Sequence, residues 1–268
     1  MRMFAALLMA AVALPASAVT LTGQFVQGGM VTGQAEPGAQ VLLNGEPIKV
    51  GADGRFVFGF GRDATGEVEL RIERPGAQPE RLVRSIRTRE YDIQRIDGLP
   101  PRTVTIPEEQ RQRRAAERAR VGAARQPVTD ALDWTDGFIW PAEGRISGVY
   151  GSQRILNGQP RWPHYGIDIA GPTGTPVLAP AGGIIRLAAA DFLLEGGIVI
   201  IDHGFGVTST LFHLHSVDVV EGQAVTQGQQ IGSIGATGRA TGPHVDWRVN
   251  WRNVRLDPQL LVPDRAAQ

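Results

Sequence analysis

The chain has 268 residues, with 27 basic and 27 acidic side chains, so its formal net charge at pH 7 is zero. A neutral chain argues against nucleic acid as a general partner, because such binding needs a basic surface. With 42% hydrophobic residues and 34 glycines, the composition favours a globular, turn-rich protein of one large or two modest domains. Because the chain has no cysteine, disulfides and thiolate ligands are excluded.

The first eighteen residues have the pattern of an export signal. Arg2 supplies a positive start, an apolar run follows from Phe4 to Leu14, and Ala16-Ser17-Ala18 is a small-residue cleavage site. A membrane-spanning helix is the alternative, but the run is too short, since a span needs about 20 apolar residues. The pattern predicts cleavage after Ala18 and a mature protein without a transmembrane segment, located in the periplasm or at the cell wall.

Residues 19–90 alternate short apolar runs with turn sequences, which predicts a small all-β domain. Asn44-Gly45 and Asp53-Gly54 lie between such runs, and these dipeptides are strong signals of a β-hairpin. Val68, Leu70 and Ile72 then share one face of a further strand. About seven short strands predict an immunoglobulin-like β-sandwich. The stretch has no histidine, so we expect a spacer or docking module.

Residues 91–133 predict an arginine-rich connection that contains one helix. Pro107 followed by two glutamates is a helix start, since acids favour the positive end of the helix dipole. Gly122 with Pro127 then closes the helix. The apolar stripe is thin and mostly alanine, which leaves two interpretations open. The helix is either a solvated linker or a contact with an acidic surface such as an anionic glycan, lipid head groups or a partner protein.

The region after the connection, residues 134–268, predicts a second all-β domain. Glycine and proline interrupt its short strand-like runs, and no convincing helix follows Trp134. Ile198 to Ile201 and Val207 to His213 flank a turn and predict a hairpin. The whole chain is therefore expected to be all-β, with two β domains joined by a short helical linker.

The histidines of the chain are clustered. All five lie after residue 163. Imidazole and carboxylate are the ligands of a borderline metal such as zinc when no thiolate is present. His164 and Asp168 are four residues apart, and a turn at Tyr165-Gly166 allows them to converge on one ion.

Two further pairs add to this set. His244 and Asp246 are two residues apart, so on a strand their side chains point to the same face, and the same holds for His213 and His215. One pair at this spacing is a weak signal. Two His–Asp pairs, together with a third strand that carries His213 and His215, predict a metal site in this small domain.

Three ordered motifs in residues 134–262 resemble the lysostaphin-type (LytM-type) zinc endopeptidases of bacterial cell walls. "HYGIDIAGPTGTPVLAP" corresponds to the family's H-x-G-x-D motif with its trailing G-T-P-V. "IDHGFGVTSTLFHL" corresponds to its D-H-G hairpin, and "VEGQAVTQGQQIGSIGATGRATGPHVDW" to its glycine-rich run ending in G-P-H-x-H. The resemblance covers about half of the chain.

The resemblance implies an exported metal-dependent endopeptidase that hydrolyses peptide stems or cross-links of peptidoglycan. It implies one zinc ion per chain, with His164 and Asp168 as ligands. It makes His213 and His244 the catalytic pair that deprotonates the attacking water and steadies the oxyanion. The partners that it implies are peptidoglycan peptides and a cell-envelope regulatory protein.

One position departs from the family pattern. The second histidine of H-x-H is replaced by Asp246, which we expect to be the third zinc ligand because carboxylate binds zinc at nearly the same distance as imidazole. Two carboxylates nearly neutralise the dication, so we expect a weaker Lewis acid and a preference for harder metals. The alternative is a catalytically inactive, metal-free member that activates or docks other cell-wall hydrolases.

The remaining candidates have weaker signals. His203 belongs to an Asp-His-Gly turn, where a structural role is the simpler interpretation. His215 is interpreted as an exposed histidine at the rim, with a substitute metal ligand or a substrate contact as alternatives. Tyr150, Asn157 and Arg161 precede His164 and are expected to line the cleft.

Overall fold

The structure, a computed structural model, describes residues 19–96 and 108–265. The predicted export signal, residues 1–18, lies outside the described residues. The first seven strands are β1 (Val19–Gly23), β2 (Met30–Ala35), β3 (Gln40–Leu43), β4 (Glu46–Ile48), β5 (Arg55–Gly59), β6 (Glu67–Glu73) and β7 (Glu80–Ser85).

These seven strands form two antiparallel sheets. One sheet has the order β1-β2-β5 and the other the order β4-β3-β6-β7. Seven strands in two antiparallel sheets, one of three strands and one of four, is the strand count expected of an immunoglobulin-like sandwich. Phe56 and Phe58 of one sheet and Leu70 and Ile72 of the other are fully buried in a shared hydrophobic core. The predicted β-sandwich is therefore confirmed.

Local turn chemistry acts here as the sequence predicts. Asn44 and Gly45 both have positive φ, at 51° and 83°, which is the conformation that a two-residue hairpin turn requires. Val68, Leu70 and Ile72 are at most 1% exposed, so period-two alternation places all three in the core.

The remaining strands and the α-helix form the second half of the described chain. They are β8 (Ile93–Ile96), α1 (Arg111–Arg125), β9 (Arg145–Gly148), β10 (Gln153–Leu156), β11 (Gln159–Pro160), β12 (Ile167–Ala170), β13 (Pro176–Leu178), β14 (Gly183–Phe192), β15 (Gly196–Gly204), β16 (Val207–Val217), β17 (Ala224–Val225), β18 (Gln230–Ile234), β19 (His244–Trp251) and β20 (Val254–Leu256). Ten of the strands form one sheet, whose main path is β17-β14-β15-β16-β19-β12-β9. Strands dominate and α1 is the one α-helix among residues 19–96 and 108–265, which confirms the all-β fold class.

Helix α1 differs from the prediction in its bounds. A short 3-10 helix, Glu108–Gln110, precedes it, and α1 continues through Gly122 to Arg125. No atom lies within 4 Å of a Cβ placed at Gly122, so that glycine relieves no close contact. Glycine inside a helix costs only about 1 kcal/mol, which packing of the helix outweighs.

The solvated-linker interpretation of α1 is wrong. Ala124 packs with Leu187, Ile198 and Phe212 in a small core on one face of the large sheet. Arg114 donates two hydrogen bonds to the Glu195 carboxylate at 2.6 and 2.7 Å. Helix α1 therefore contacts acidic side chains of its own chain, and the predicted contact with an external glycan, lipid or partner protein stays a prediction. Two further ion pairs join α1 to that surface: Arg113 with Asp191, and Arg120 with Glu221.

The start of the predicted connection is also part of a sheet. β8 pairs in parallel with β10, and β10 pairs with β11. Arg89 forms a 2.7 Å ion pair with Asp257, which is 1% exposed. These long-range contacts attach the chain before the helix to the C-terminal half. In the described part of the chain, no helix is both long and apolar enough to cross a membrane.

Candidate metal centre

Three neighbouring strands of the large sheet carry the predicted site residues. Asp168 on β12 lies directly opposite Asp246 on β19, and Asp246 in turn lies opposite Phe212 on β16. Residues that are directly opposite in antiparallel strands point to the same face of the sheet. The two carboxylates therefore share a face, although they are 78 positions apart in the sequence.

His164 completes the set from the loop before β12. Its Nε2 is 3.2 Å from Asp168 Oδ1 and 3.5 Å from Asp246 Oδ2. One ligand atom from each of the three residues lies within 4.8 Å of the others. The structure thus brings together the three residues that were predicted as metal ligands.

The His164 ring is oriented for ligation. Its Nδ1 donates a hydrogen bond to the Val149 carbonyl at 3.3 Å, so Nε2 faces the carboxylates. Nε2 is buried and has no hydrogen-bond partner. A backbone carbonyl on the far nitrogen is the usual support of a metal-ligating histidine, and an unpaired buried nitrogen is costly unless something binds it.

Glycine keeps space beside both carboxylates. A Cβ atom at Gly148 would collide with the Asp168 carboxylate, and one at Gly166 would collide with Asp246 Oδ1. One imidazole nitrogen and two carboxylate oxygens are a donor set that zinc accepts, with a fourth position left for water or substrate. The residues present therefore fit a zinc ion.

His213 reaches the site through a β-bulge. It has a positive φ of 62°, and the pairing register of β16 shifts beside it. Its backbone N–H donates to the Glu195 carbonyl at 2.8 Å, and its Nδ1 donates to the Thr237 carbonyl at 2.8 Å. The ring is fixed with Nε2 free, and burial lowers the pKa of His213, so the neutral form is favoured.

His244 lies next to His213. The two ring centroids are 4.7 Å apart. His244 Nδ1 donates to the Gly242 carbonyl at 2.8 Å, and its Nε2 is 3.8 Å from Asp168 Oδ1. Both imidazoles thus have a backbone carbonyl on Nδ1 and lie beside the ligand set.

The charges of the ligand set are strongly coupled. Burial lowers the pKa of His164, but the close approach of the Asp168 and Asp246 carboxylates outweighs burial and raises this pKa to about 10. Burial raises the pKa of Asp246, but the charges of Arg248 and His164 outweigh burial and hold this pKa far below its usual range. Without a metal, one proton is therefore held between two carboxylates, and a bound cation would replace it.

Arg248 is the residue of this site that sequence reasoning missed. It donates three hydrogen bonds to Asp246, at 2.6 to 3.1 Å, and its guanidinium lies 4.7 Å from the centre of the Phe212 ring. A signal was present, because Arg248 is two residues after Asp246 on the same strand and so shares its face.

The other predicted residues lie apart from the three ligands. His203 is fully buried, donates to the Gly182 carbonyl and accepts from the Ser209 hydroxyl, as a structural histidine does. His215 is exposed. Tyr150 is 2% exposed and donates to the Arg255 carbonyl, so it is part of the core and does not line an open cleft. Of the other two residues expected in the cleft, Asn157 is exposed and Arg161 is half-buried.

Comparison with known proteins shows what the C-terminal part of the chain is similar to. Residues 162–258 match the model of Peptidase family M23. A crystal structure from Pseudomonas aeruginosa, described as a peptidase M23, is similar with a TM-score of 0.67 and 28% identity, over 88% of this chain and 94% of that chain. That similarity includes both halves of the fold.

Curated relatives are similar over the C-terminal half. A lipoprotein NlpD/LppB homolog of Pseudomonas aeruginosa is 35% identical over 48% of this chain and 41% of its own length. The peptidoglycan DD-endopeptidase ShyA of Vibrio cholerae is 39% identical over 32% of this chain and 20% of its own length. This chain therefore spans less than half the length of either relative.

Proposed function

Because this chain carries a domain of peptidase family M23 at residues 162–258, as its resemblance to lysostaphin-type enzymes predicted, we propose that it is a metal-dependent endopeptidase of the bacterial cell envelope. Its substrates are the peptide stems or cross-links of peptidoglycan. The similarity to a peptidoglycan DD-endopeptidase supports this substrate class.

One observation carries the proposal. His164 Nε2 is buried, has no hydrogen-bond partner and faces Asp168 and Asp246. In this proposal the three residues hold one zinc ion per chain. When bound, zinc supplies a Lewis acid that polarises the scissile carbonyl and lowers the pKa of a water molecule.

The two other histidines act on protons and charge. His213 Nε2, kept unprotonated by burial, accepts the proton of the attacking water. His244 Nε2 then donates a hydrogen bond to the oxyanion that forms at the carbonyl. The bond from Nδ1 to the Thr237 carbonyl holds His213 in the tautomer whose Nε2 accepts a proton. Because His244 Nδ1 also donates, to the Gly242 carbonyl, His244 needs a proton on both ring nitrogens for its role at the oxyanion.

Incubation with purified wall sacculi tests the function. We expect the full-length protein to release peptides, to stop when a chelator is added, and to resume with added zinc. His244→Ala is the matched variant, since it removes a catalytic group and leaves the ligands. Peptide release that continues at the parent rate in chelator would contradict the proposal.

Export is part of the proposed function. The predicted cleavage after Ala18 gives a mature protein that begins at Val19, in the periplasm or at the wall. N-terminal sequencing of the protein recovered outside the cytoplasm is the test. A protein that still begins at Met1 would contradict it. A cell-envelope regulatory protein remains a proposed further partner.

A second candidate function rests on the Arg248 contact. Because Arg248 already bonds both oxygens of Asp246, it competes with a metal for this carboxylate. A catalytically inactive domain that activates or docks other cell-wall hydrolases is the function that such competition favours. Bound zinc per purified chain separates the two candidates: about one ion supports the enzyme, and none supports the regulator.

A further inference from the structure

A cavity lies near the C-terminal end of β19, away from the candidate metal ligands. This cavity, of about 400 Å³, opens between the C-terminal end of α1 and the hairpin that joins β19 to β20. Three arginines line it: Arg125 from α1, Arg252 from the hairpin tip and Arg255 from β20, together with Asn250. The cavity therefore collects positive charge from segments that are far apart in the sequence.

These arginines have no neutralising partner. Among residues 19–96 and 108–265, no carboxylate lies within ion-pair distance of Arg125, Arg252 or Arg255. Arg125 donates one side-chain hydrogen bond, to the Thr210 hydroxyl at 2.7 Å. The Nε atoms of Arg125 and Arg252 and the Oδ1 atom of Asn250 are buried without a hydrogen-bond partner.

The arrangement is electrostatically unfavourable as it stands. Burial, together with the charges of Arg255 and Arg248, lowers the pKa of Arg125 to about 10. Burial and the charge of Arg248 also lower the pKa of Arg255. Like charges gathered in a half-buried cavity repel one another, and an anion placed among them relieves both the repulsion and the unpaired donors.

The cavity and the metal centre share one face of β19. Asp246, Arg248 and Asn250 lie opposite Phe212, Thr210 and Thr208, respectively, so these three β19 side chains share one face of the sheet. Asn250 is four residues from Asp246, a distance of about 13 Å along a strand. An extended peptide covers this distance with about four residues.

We propose that this cavity is an anion subsite that binds the free carboxylate of the peptide substrate, about four residues from the bond that is cleaved. The planar guanidinium fork matches a carboxylate with two parallel hydrogen bonds, and three arginines line this cavity. The inference rests on the proposed function, because that function makes a peptide the ligand. It adds the substrate feature that is recognised: a free carboxylate.

A pair of peptides tests the subsite. The probes are a D-alanine-terminated pentapeptide of wall composition with a free C-terminal carboxylate, and the same peptide as the C-terminal amide. Binding to the full-length protein is measured by calorimetry in the presence of a chelator, so that the peptide stays intact. We expect the acid to bind the parent about tenfold tighter than the amide, the worth of one charge-assisted hydrogen bond.

Variants of the arginines localise the effect. Arg252→Gln and Arg255→Gln should lose the preference for the acid, and Arg252→Lys, which retains the charge, should keep most of it. Arg118→Gln is the matched control, because Arg118 is exposed on α1 and does not line the cavity. Equal binding of acid and amide by the parent, or parent-like preference in both glutamine variants, would overturn the proposal.

Inorganic phosphate distinguishes the source of the anion. Phosphate that displaces the acid peptide supports an oxyanion site that a peptide carboxylate uses. Phosphate that binds in an Arg252-dependent way while the two peptides bind equally overturns the peptide assignment. If the subsite assignment is wrong, Arg252→Gln releases peptides from sacculi at the parent rate, and a chelator still stops this release. If the proposed function is wrong, the parent protein itself binds no zinc.

Discussion

Arg248 holds Asp246 by three hydrogen bonds of 2.6 to 3.1 Å, although the two residues are near neighbours on one strand. Asp246 stands where the resemblance to lysostaphin-type enzymes leads us to expect a histidine, and it adds a negative charge to the candidate metal centre. Arg248 adds one positive charge at the same place. We expected two carboxylate ligands to neutralise the dication almost completely, without considering Arg248. With Arg248 included, the net charge of the site is closer to that of a site with one carboxylate ligand.

This relationship predicts that Asp246→His alone impairs the site. The substitution leaves Arg248 without its carboxylate, and an unpaired, largely buried charge costs about 3 kcal/mol of unfolding free energy. The same unpaired charge repels a dication, so we expect zinc to bind at least about tenfold more weakly. Adding Arg248→Met should restore both the unfolding free energy and the zinc affinity. Urea unfolding and competition with a chromophoric chelator measure them. The idea is abandoned if Asp246→His binds zinc as tightly as the parent.

The ligand and catalytic assignments predict different losses. Asp246→Ala leaves two protein ligands and should lose most of the bound zinc. His244→Ala should keep the zinc and lose at least about a hundredfold in peptide release, since it removes the group that stabilises the oxyanion. Zinc content by mass spectrometry and release from sacculi are measured on the same samples. Parent-like zinc content in Asp246→Ala would place the third ligand elsewhere, with His215 the first residue to examine.

His203 predicts a pH dependence of stability. Burial lowers its pKa from 6.5 to about 4, so between these values the unfolded chain binds more protons than the folded one. The contribution of His203 to the free energy of unfolding is therefore fully present above pH 6.5. It is lost as the pH falls towards 4, by about 3 kcal/mol in all. His203→Gln should remove this part of the change of unfolding free energy with pH. Urea unfolding at pH 5 and pH 7.5, with chelator present in both proteins, gives the comparison. An unchanged difference between the two pH values would contradict the prediction.

The ion pair between Arg114 of α1 and Glu195, which lies between β14 and β15, predicts a local effect on His213. Glu195 accepts two hydrogen bonds from Arg114, and its carbonyl accepts the His213 N–H. Arg114→Gln leaves a largely buried carboxylate with a weaker partner and should cost about 2 kcal/mol of unfolding free energy. Hydrogen exchange at the His213 amide should accelerate more than at β14 amides. The exposed Arg118→Gln serves as the control, and equal effects of both variants would show that Glu195 does not depend on Arg114.

Local rules determined much of this protein from its sequence. Asn44-Gly45 sets a hairpin because only a few residues accept positive φ at both turn positions. Val68, Leu70 and Ile72 share a face because a strand has a period of two. His164 and Asp246 were identified from motif and spacing, and the structure places them around one point. Each of these inferences needs only residues that are close in the sequence, or a motif that fixes their roles.

Tertiary structure decided what depends on distant segments. The stripe of α1 is mostly alanine, so its periodicity could not show that the helix packs on Leu187 and Phe212. The anion cavity joins Arg125 to Arg255 across 130 positions, and no local pattern relates these two arginines. Such contacts form because folding buries apolar surface and pairs charges. The free energy that is gained comes from many segments together and from no single one. Which arginines pair with a carboxylate, and which line a cavity without one, is therefore a property of the folded chain.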